Sequence, residues 1–372
     1  MKVLYIGHYK ESGGWAQAAK DYILALDSIG VDVVCRNITL TKDNNIDGRL
    51  LKLENKDTFN CDYCIQHVLP HHLIGTSKFK KNIAFLASES TSIKHIAWFN
   101  NLQIMDQIWV PNNDSKHYLE QDNINVPVRV IPHCFDTEKY TKKYKDISIP
   151  QAEGKFKFYY IGDMNDRKNL RSIIRCFHSE FDKSEPACLI LKVRKFGLSS
   201  AQVGKLIDSI LSEEKTKLRL HKNISEYTKD IVISDDINEE NIYSLHQYSD
   251  CFICPSHGEA WSIPSFEAMA FGNTPICSNF GGPKDFIDHD DMNTGKCIDG
   301  IFSVCQCSDA AFPDLFTGKE YWLTPSEKDI KETMRLYFTS KDKKQSRIAG
   351  LTRAKLFSYE NIANKIVEVL SE

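Results

Sequence analysis

Short apolar runs alternate with longer amphipathic ones along this chain, and the whole alternation occurs twice. KVLYIG reads as a strand and Trp15–Ile29 as a helix, with Ala18, Tyr22, Ala25, Leu26 and Ile29 on one face and Gly30 to end it. VDVVCR, CDYCIQHV, NIAFLAS, QIWVP and VRVIP follow at strand length. The stretch Asp146–Gly154, DISIPQAEG, is polar and aperiodic and holds a proline and a glycine. Beyond it the pattern restarts with KFKFYYIG, ACLILKV, DIVIS, DCFICPS and TPICS, and charged helices run from Glu327 to the end. Strands alternating with helices predict parallel sheets covered on both faces. The doubling predicts an α/β chain of two doubly wound domains, 1–150 and 151–358, facing each other across a cleft. Ligands of such sheets sit past the carboxyl ends of the strands, so the loops after strands are where chemistry is expected.

The bulk properties fit this division. A chain of 372 residues is too long for one comfortable core. A net charge of −3 gives no reason to expect nucleic-acid binding. The apolar run Val3–Ile6 is too short for a signal peptide or a membrane span, so the chain is expected to stay in the cytoplasm, where its 12 cysteines remain thiols. Cys61 and Cys64 form a C-x-x-C, but inside a strand-like run that points them to opposite faces, which suits a shared metal poorly. Cys305 and Cys307 lack a second pair nearby. The basic run Lys78–Lys81, KFKK, offers a peripheral contact to anionic lipid, against which a solvated face is the simpler reading.

One strand-end loop carries two carboxylates. In HGEAWSIPSFEAMAFG, His257–Gly272, Glu259 and Glu267 are separated by seven residues in an otherwise apolar stretch. Proline suits a first helical turn, so a helix is expected to start near Ser262–Pro264, with Glu267 in its first turn. The free N–H groups between Ala260 and Ser265 would then meet an anion such as a phosphate. Carboxylates accept from hydroxyl pairs, which a sugar or a ribose supplies. An acidic residue near a helix start also simply complements the dipole. In IGDMNDRKN, Arg167 and Lys168 stand just before a helix, where cations are disfavoured unless an anion binds. Gly13 and Gly14 in the first strand-to-helix loop suit either close backbone approach to a phosphate or a plain tight turn.

The run Glu259–Glu267 with AMAFGNTPI after it is similar to the E-x7-E motif of the retaining GT-B glycosyltransferases of family 4. SNFGGP, Ser278–Pro283, resembles the glycine-rich stretch of that family. The likeness covers nearly the whole chain and is strongest from Tyr159 to Ile287. It implies two Rossmann-like domains, acceptor side first and donor side second, that open and close about a hinge near Asp146–Gly154. The last helix, 359–372, would pack back across the first domain. It implies transfer of a sugar from a UDP- or GDP-sugar to the hydroxyl of a glycan, lipid-linked or protein-linked acceptor, with retention and without cofactor or metal. Glu259 would contact the donor sugar and Glu267 the ribose diol. Arg167, Lys168 and the helix start at Ala260, Trp261, Ser262 and Ile263 would meet the diphosphate, with Gly162 at the turn and Gly13 and Gly14 approaching from the opposite domain.

Two positions depart from the family pattern. Asp163 stands where many relatives have an arginine, and Glu89, in ASESTS, stands where many have a histidine against the sugar's primary hydroxyl. A solvated loop carboxylate is the bland reading of Glu89. His67, His71 and His72 hint at a metal by proximity, but an acceptor-side or surface role fits better. His133 matches a family position near the domain junction, where packing is expected. Two other classes accommodate the same residues: a nucleotide-sugar epimerase of GT-B type, and a catalytically silent sugar-nucleotide-binding protein.

Overall fold

The computed structural model describes residues 1–40, 48–306 and 315–372, so Cys307 lies outside the described residues. Strands β1 (Lys2–Gly7), β2 (Asp32–Asn37), β3 (Tyr63–His67), β4 (Lys81–Phe85), β5 (Gln107–Val110) and β6 (Val128–Val130) form one sheet in the order β2-β1-β3-β4-β5-β6. Strands β7 (Phe156–Asp163), β8 (Ala187–Arg194), β9 (Ile231–Ile233), β10 (Cys251–Cys254), β11 (Ile276–Ser278) and β12 (Lys296–Ile298) form a second, in the order β12-β11-β10-β7-β8-β9. Every pairing in both sheets is parallel. Their continuous apolar runs are what a sheet buried on both faces requires. A small antiparallel hairpin, β13 (Gly300–Val304) and β14 (Tyr321–Pro325), stands apart.

The helices that cover the first sheet are α1 (Gly14–Ser28), α2 (Gly48–Glu54), α3 (Trp98–Leu102) and α4 (Asn113–Gln121). Those that follow are α5 (Leu170–Glu180), α6 (Ser200–Leu218), α7 (Glu239–Tyr248), α8 (Ile263–Ala270), α9 (Gly282–Phe286), α10 (Glu327–Ser340), α11 (Lys343–Lys355) and α12 (Tyr359–Ser371). Local chemistry sets several starts: the Asn112 and Asn238 side chains accept from the third residue of α4 and α7, and Ser199 with Gln202 makes a capping box on α6.

The strand and helix types match the sequence expectation with boundary shifts. Cys61 falls just before β3, while Cys64 is inside it; both are buried, and all eleven described cysteines are free thiols. The last strand of the second sheet and the β13–β14 hairpin were not legible, because each is short and flanked by polar residues.

The chain crosses between the sheets twice, and the two crossings run side by side. Phe135 N–H donates to the Phe357 carbonyl at 2.9 Å, and Tyr359 N–H donates to the Phe135 carbonyl at 3.2 Å. Beyond the second crossing, α12 lies on α1, with Tyr359 Oη donating to Asp21 at 2.5 Å and Arg129 paired with Glu372 at 2.9 Å. Aromatic rings fill the junction. Phe135 stacks on Phe266 of α8 with centroids 4.0 Å apart, and Trp261 meets Phe357 edge-on at 5.2 Å. A single apolar core therefore runs from the first sheet through the crossings into the second.

Phe266 is fully buried at this junction. Phe266→Ala should lower unfolding stability by ~3–5 kcal/mol, read by denaturant titration, because the cavity opens among rings held by both domains.

Candidate active site

In a doubly wound sheet the crevice forms where neighbouring strands send their connections to opposite faces. Here that happens between β1 and β3 and again between β7 and β10. The loops after these four strands meet over one cleft of about 640 Å³ between the domains. Gly13, Gly14 and Trp15 enter from the loop after β1, and His67 ends β3. Gly162, Arg167 and Lys168 come from β7 and the turn after it; Glu259 through Ile263 come from the loop after β10. Glu89 follows β4, and Glu267 is carried on α8. All twelve residues that the sequence suggested for a site thus line the same cleft.

The centre of the cleft is a chain of four charges. Arg167 Nε is 2.9 Å from Glu89 Oε2, Arg167 Nη1 is 3.1 Å from Glu259 Oε1, and Lys168 Nζ is 2.7 Å from the same Glu259 oxygen. Burial alone would raise the Glu259 pKa, but the Lys168 and Arg167 charges overcome it and hold the carboxyl at about 2. Glu89 moves the other way: burial raises it, Glu259 adds to the rise, and Arg167 opposes. The loop carboxylate is therefore no solvated bystander. Linkage follows these directions. Ionised Glu259 stabilises the fold above the ordinary carboxylate range, and that contribution is lost as pH falls toward 2.

The Arg167 backbone carbonyl accepts from His257 N–H at 2.8 Å, and its guanidinium donates to the Gly258 carbonyl. Gly258 is required at this point. A Cβ there would overlap the Glu89 carbonyl oxygen, so the first-domain loop touches the second-domain loop backbone to backbone. The β13–β14 hairpin braces the contact: Trp322 stacks on His257 at 4.8 Å, and Thr91 and Tyr321 exchange hydrogen bonds between the domains.

Helix α8 begins at Ile263, so Glu267 is its fifth residue and not part of its first turn, as the sequence had suggested. Ser262 adopts a left-handed conformation, φ 70°, and its hydroxyl bonds Ser265 Oγ at 2.7 Å instead of capping the helix. Ala260 through Pro264 line the cleft, so an uncapped helix start with no acidic residue in its first turn faces the open volume. Glu267 Oε1 lies 3.2 Å from Lys139 Nζ and Glu267 Oε2 lies 3.8 Å from His246 Nε2. Burial would raise the Glu267 pKa, but Lys139 and then His246 lower it. Both glutamates are therefore buried carboxylates of the cleft wall.

The first-domain wall is largely aromatic, with Lys20 and Glu89 its charged members. His67 is buried, with Nδ1 against Tyr5 Oη at 2.8 Å, and Trp15 packs on it at 5.7 Å. Burial pushes His67 well below its ordinary pKa and brings His133 to about 3. His133 packs against Tyr22 and Trp261 at the junction. His71 and His72 lie tilted against one another with centroids 4.1 Å apart outside the cleft lining, and among the described residues no three metal-ligating side chains gather to hold an ion.

Several charged groups escaped the sequence reading: Lys20 and Glu239 in the cleft lining, and with them Arg194 and Lys139. Arg194, at the end of β8, lines the cleft; its Nε is 2.7 Å from Asp163, and its guanidinium lies against Gly13 of the facing domain. The signal was present, a cation closing the apolar run ACLILKV, but a lone arginine at a strand end carries no spacing to read. Lys139 comes from the crossing segment, remote in sequence from the glutamate it pairs with.

Residues 142–304 match the family model for glycosyl transferases group 1, which is less than half of the chain. No curated protein matches the sequence. Solved structures match the whole fold. Sucrose-phosphate synthase (tll1590) from Thermosynechococcus elongatus superposes with a TM-score of 0.67 at 14% identity, covering 100% of this chain and 98% of that one. Anabaena Alr3699/HepE, solved with UDP and glucose, gives 0.64 at 15% identity with 100% and 99% covered. The trehalose-6-phosphate synthase OtsA gives 0.66 at 8% identity with 100% and 99% covered. The architecture, two doubly wound domains facing each other across a cleft, is the GT-B fold.

Gly258→Ala should disturb the site without touching a charged group. The added methyl must displace the Glu89 loop, so a drop in melting temperature corresponding to ~1–3 kcal/mol is expected, read by calorimetry.

Proposed function

We propose that the chain is a retaining glycosyltransferase that moves a sugar from a nucleotide sugar to an acceptor hydroxyl. One observation carries this reading: Glu259 and Glu267, both ionised, flank the uncapped start of α8, and Arg167 and Lys168 stand beside Glu259 in the same cleft. Two carboxylates suited to hydroxyl pairs, on either side of a cationic and N–H-rich anion site, have the chemistry of a sugar, a diphosphate and a ribose in sequence. The match of residues 142–304 to glycosyl transferases group 1 supports it, as do fold neighbours solved with UDP-glucose and UDP-2-fluoro glucose.

In this reading Glu267 accepts the ribose hydroxyls and Glu259 the sugar hydroxyls. Arg167, Lys168 and the N–H groups of Ala260 through Ile263 receive the diphosphate. Arg194, anchored by Asp163, reaches the cleft from the neighbouring strand and adds a cation beside Gly13. The bond from the anomeric carbon to the diphosphate oxygen breaks, and the acceptor oxygen attacks from the same face. The leaving phosphate oxygen takes the acceptor's proton. Charge on that leaving group is stabilised by the fixed cations and the helix start, with no metal. The acceptor approaches along the wall of Trp15, His67 and Glu89, and the meeting of the domains keeps competing water out. The acceptor is a glycan, lipid-linked or protein-linked hydroxyl. Among the described residues no helix is long and apolar enough to cross a membrane.

The two glutamates give separable outcomes. Glu267→Ala should weaken bare nucleoside diphosphate and donor alike. Glu259→Ala should leave bare diphosphate affinity nearly intact and lower transfer by ~10²-fold, the rate equivalent of about 3 kcal/mol in the transition state. Calorimetry with UDP and GDP, together with transfer rates, reads both. Full activity in both variants sinks the glycosyltransferase reading, and isomerisation of a donor incubated alone points to an epimerase.

Lys168→Ala removes a charge-assisted contact worth roughly 1.5–3 kcal/mol, so diphosphate affinity should fall ~10-fold or more. Unchanged affinity in a folded variant would mean that Lys168 serves only to hold Glu259.

A further inference from the structure

Each carboxylate of the donor wall has a cation beside it, but the cations come from different parts of the chain. Arg167 and Lys168 belong to the second domain and line the cleft beside Glu259. Lys139 does not line it; it sits behind Glu267, on the short turn Thr137–Thr141 of the first crossing. It is only 9% exposed. Its Nζ is 3.2 Å from Glu267 and 3.8 Å from Glu239, with the rings of Tyr243 and Tyr140 at 5.1 and 5.2 Å. An ammonium sealed among rings carries a large desolvation cost, which fixed carboxylate partners offset. A charge is maintained at that cost directly behind one functional carboxylate.

We propose that Lys139 is a positioning residue for nucleotide binding: its ion pair holds Glu267 ionised and aimed, so that the carboxylate accepts both hydroxyls of a ribose. This rests on the reading of Glu267 as the ribose acceptor. Lys139 itself touches no ligand and acts through Glu267 alone.

The surroundings of Glu267 give the role a signature. Lys139 from the crossing and His246 from α7 lower its pKa against burial, and the hydroxyls of Tyr140, Tyr159 and Tyr243 surround the same region. Glu239 and Asp21 are the other carboxylates facing Lys139, and Asp21 is raised to about 6 by burial. Without Lys139, burial of Glu267 is opposed by His246 alone. Its pKa then rises, so the carboxylate is lost as pH falls and is regained as pH rises.

Titration calorimetry of UDP and GDP into the full chain between pH 6 and 9 tests this, using wild type, Lys139→Met, Lys139→Arg, Glu267→Gln and the Lys139→Met/Glu267→Gln double variant. Lys139→Met is expected to bind roughly tenfold more weakly at pH 7. The loss should shrink toward pH 9 relative to wild type, and Lys139→Arg should retain most of the affinity. In the Glu267→Gln background, Lys139→Met should cost nothing further. If Lys139→Met proves too unstable, Lys139→Arg and the double variant, in which both charges leave together, decide the matter. Wild-type affinity and pH profile in Lys139→Met, with Glu267→Gln impaired, overturn the positioning role. So does a pH-independent loss that persists in the Glu267→Gln background. Failure of wild type to bind either nucleotide, or wild-type binding by Glu267→Gln, overturns the donor-site reading itself and this inference with it.

Discussion

Glu259 and Glu267 are buried to 6% exposure each, and a carboxylate taken out of water that far stays charged only if a cation is fixed beside it. Much of the surrounding structure answers that requirement. Arg167 and Lys168 are set on a turn that Asn165 caps, with its side chain accepting from Lys168 N–H at 3.0 Å. Lys139 is brought in by the chain crossing. Glu267 itself is fixed by the close packing of α8, whose Phe266 is gripped by Phe135 of the same crossing. Removing Lys139 would take from Glu267 its lysine, and removing Arg167 or Lys168 would leave Glu259 with one cation instead of two, so the ion pairs and the aromatic junction form one construction.

That construction spans both domains. The crossings at Phe135 and Phe357 are hydrogen-bonded to each other, and the first continues directly into the turn that holds Lys139. On the opposite flank, Asn112 donates to the Ala260 carbonyl at 2.6 Å, and Asp114 takes both Gly281 N–H and Lys284 at 2.8 Å. The loop between Glu259 and α8 is thus held by first-domain residues as well as by its own strand. Under the proposed function, changes in the domain contact reach the donor site through named groups: Lys139 behind the ribose carboxylate, Asn112 at the helix start, and the Glu89 loop against Gly258.

The fold was legible because its strands are continuous apolar runs and its helices amphipathic, a contrast that survives in sequence. The residues that line the cleft were legible wherever the chain itself places them together, as in Glu259–Glu267 or Arg167–Lys168. The pairings were not. Glu89 with Arg167, Glu267 with Lys139 and Asp163 with Arg194 join residues 31 to 128 positions apart, and nothing local marks them. The hairpin of β13 and β14 was missed for a related reason. Its strands expose Ile301, Phe302 and Tyr321 and bury Trp322 and Leu323, so no single face gives a readable alternation. Glu267 falls just past the first turn, because α8 begins at Ile263 with Pro264 as its second residue and a left-handed Ser262 ahead of it.

The charge balance of the cleft bears on how a diphosphate would be received. Glu89, Arg167, Glu259 and Lys168 sum to zero, and Asp163 with Arg194 sums to zero again. Arg167, Lys168 and Arg194 each already have a carboxylate partner, so these six groups offer an arriving diphosphate no surplus charge, while Lys20 adds a cation from the first-domain side of the lining. Within the paired network attraction comes from geometry: each ammonium or guanidinium has donors left over after its carboxylate bond, and the helix start adds N–H groups that carry no counter-charge. Glu89 is the member of the network least committed to ionisation, since burial and Glu259 both raise it. Protonation of Glu89 would leave Arg167 with one carboxylate fewer and the cleft one unit more positive.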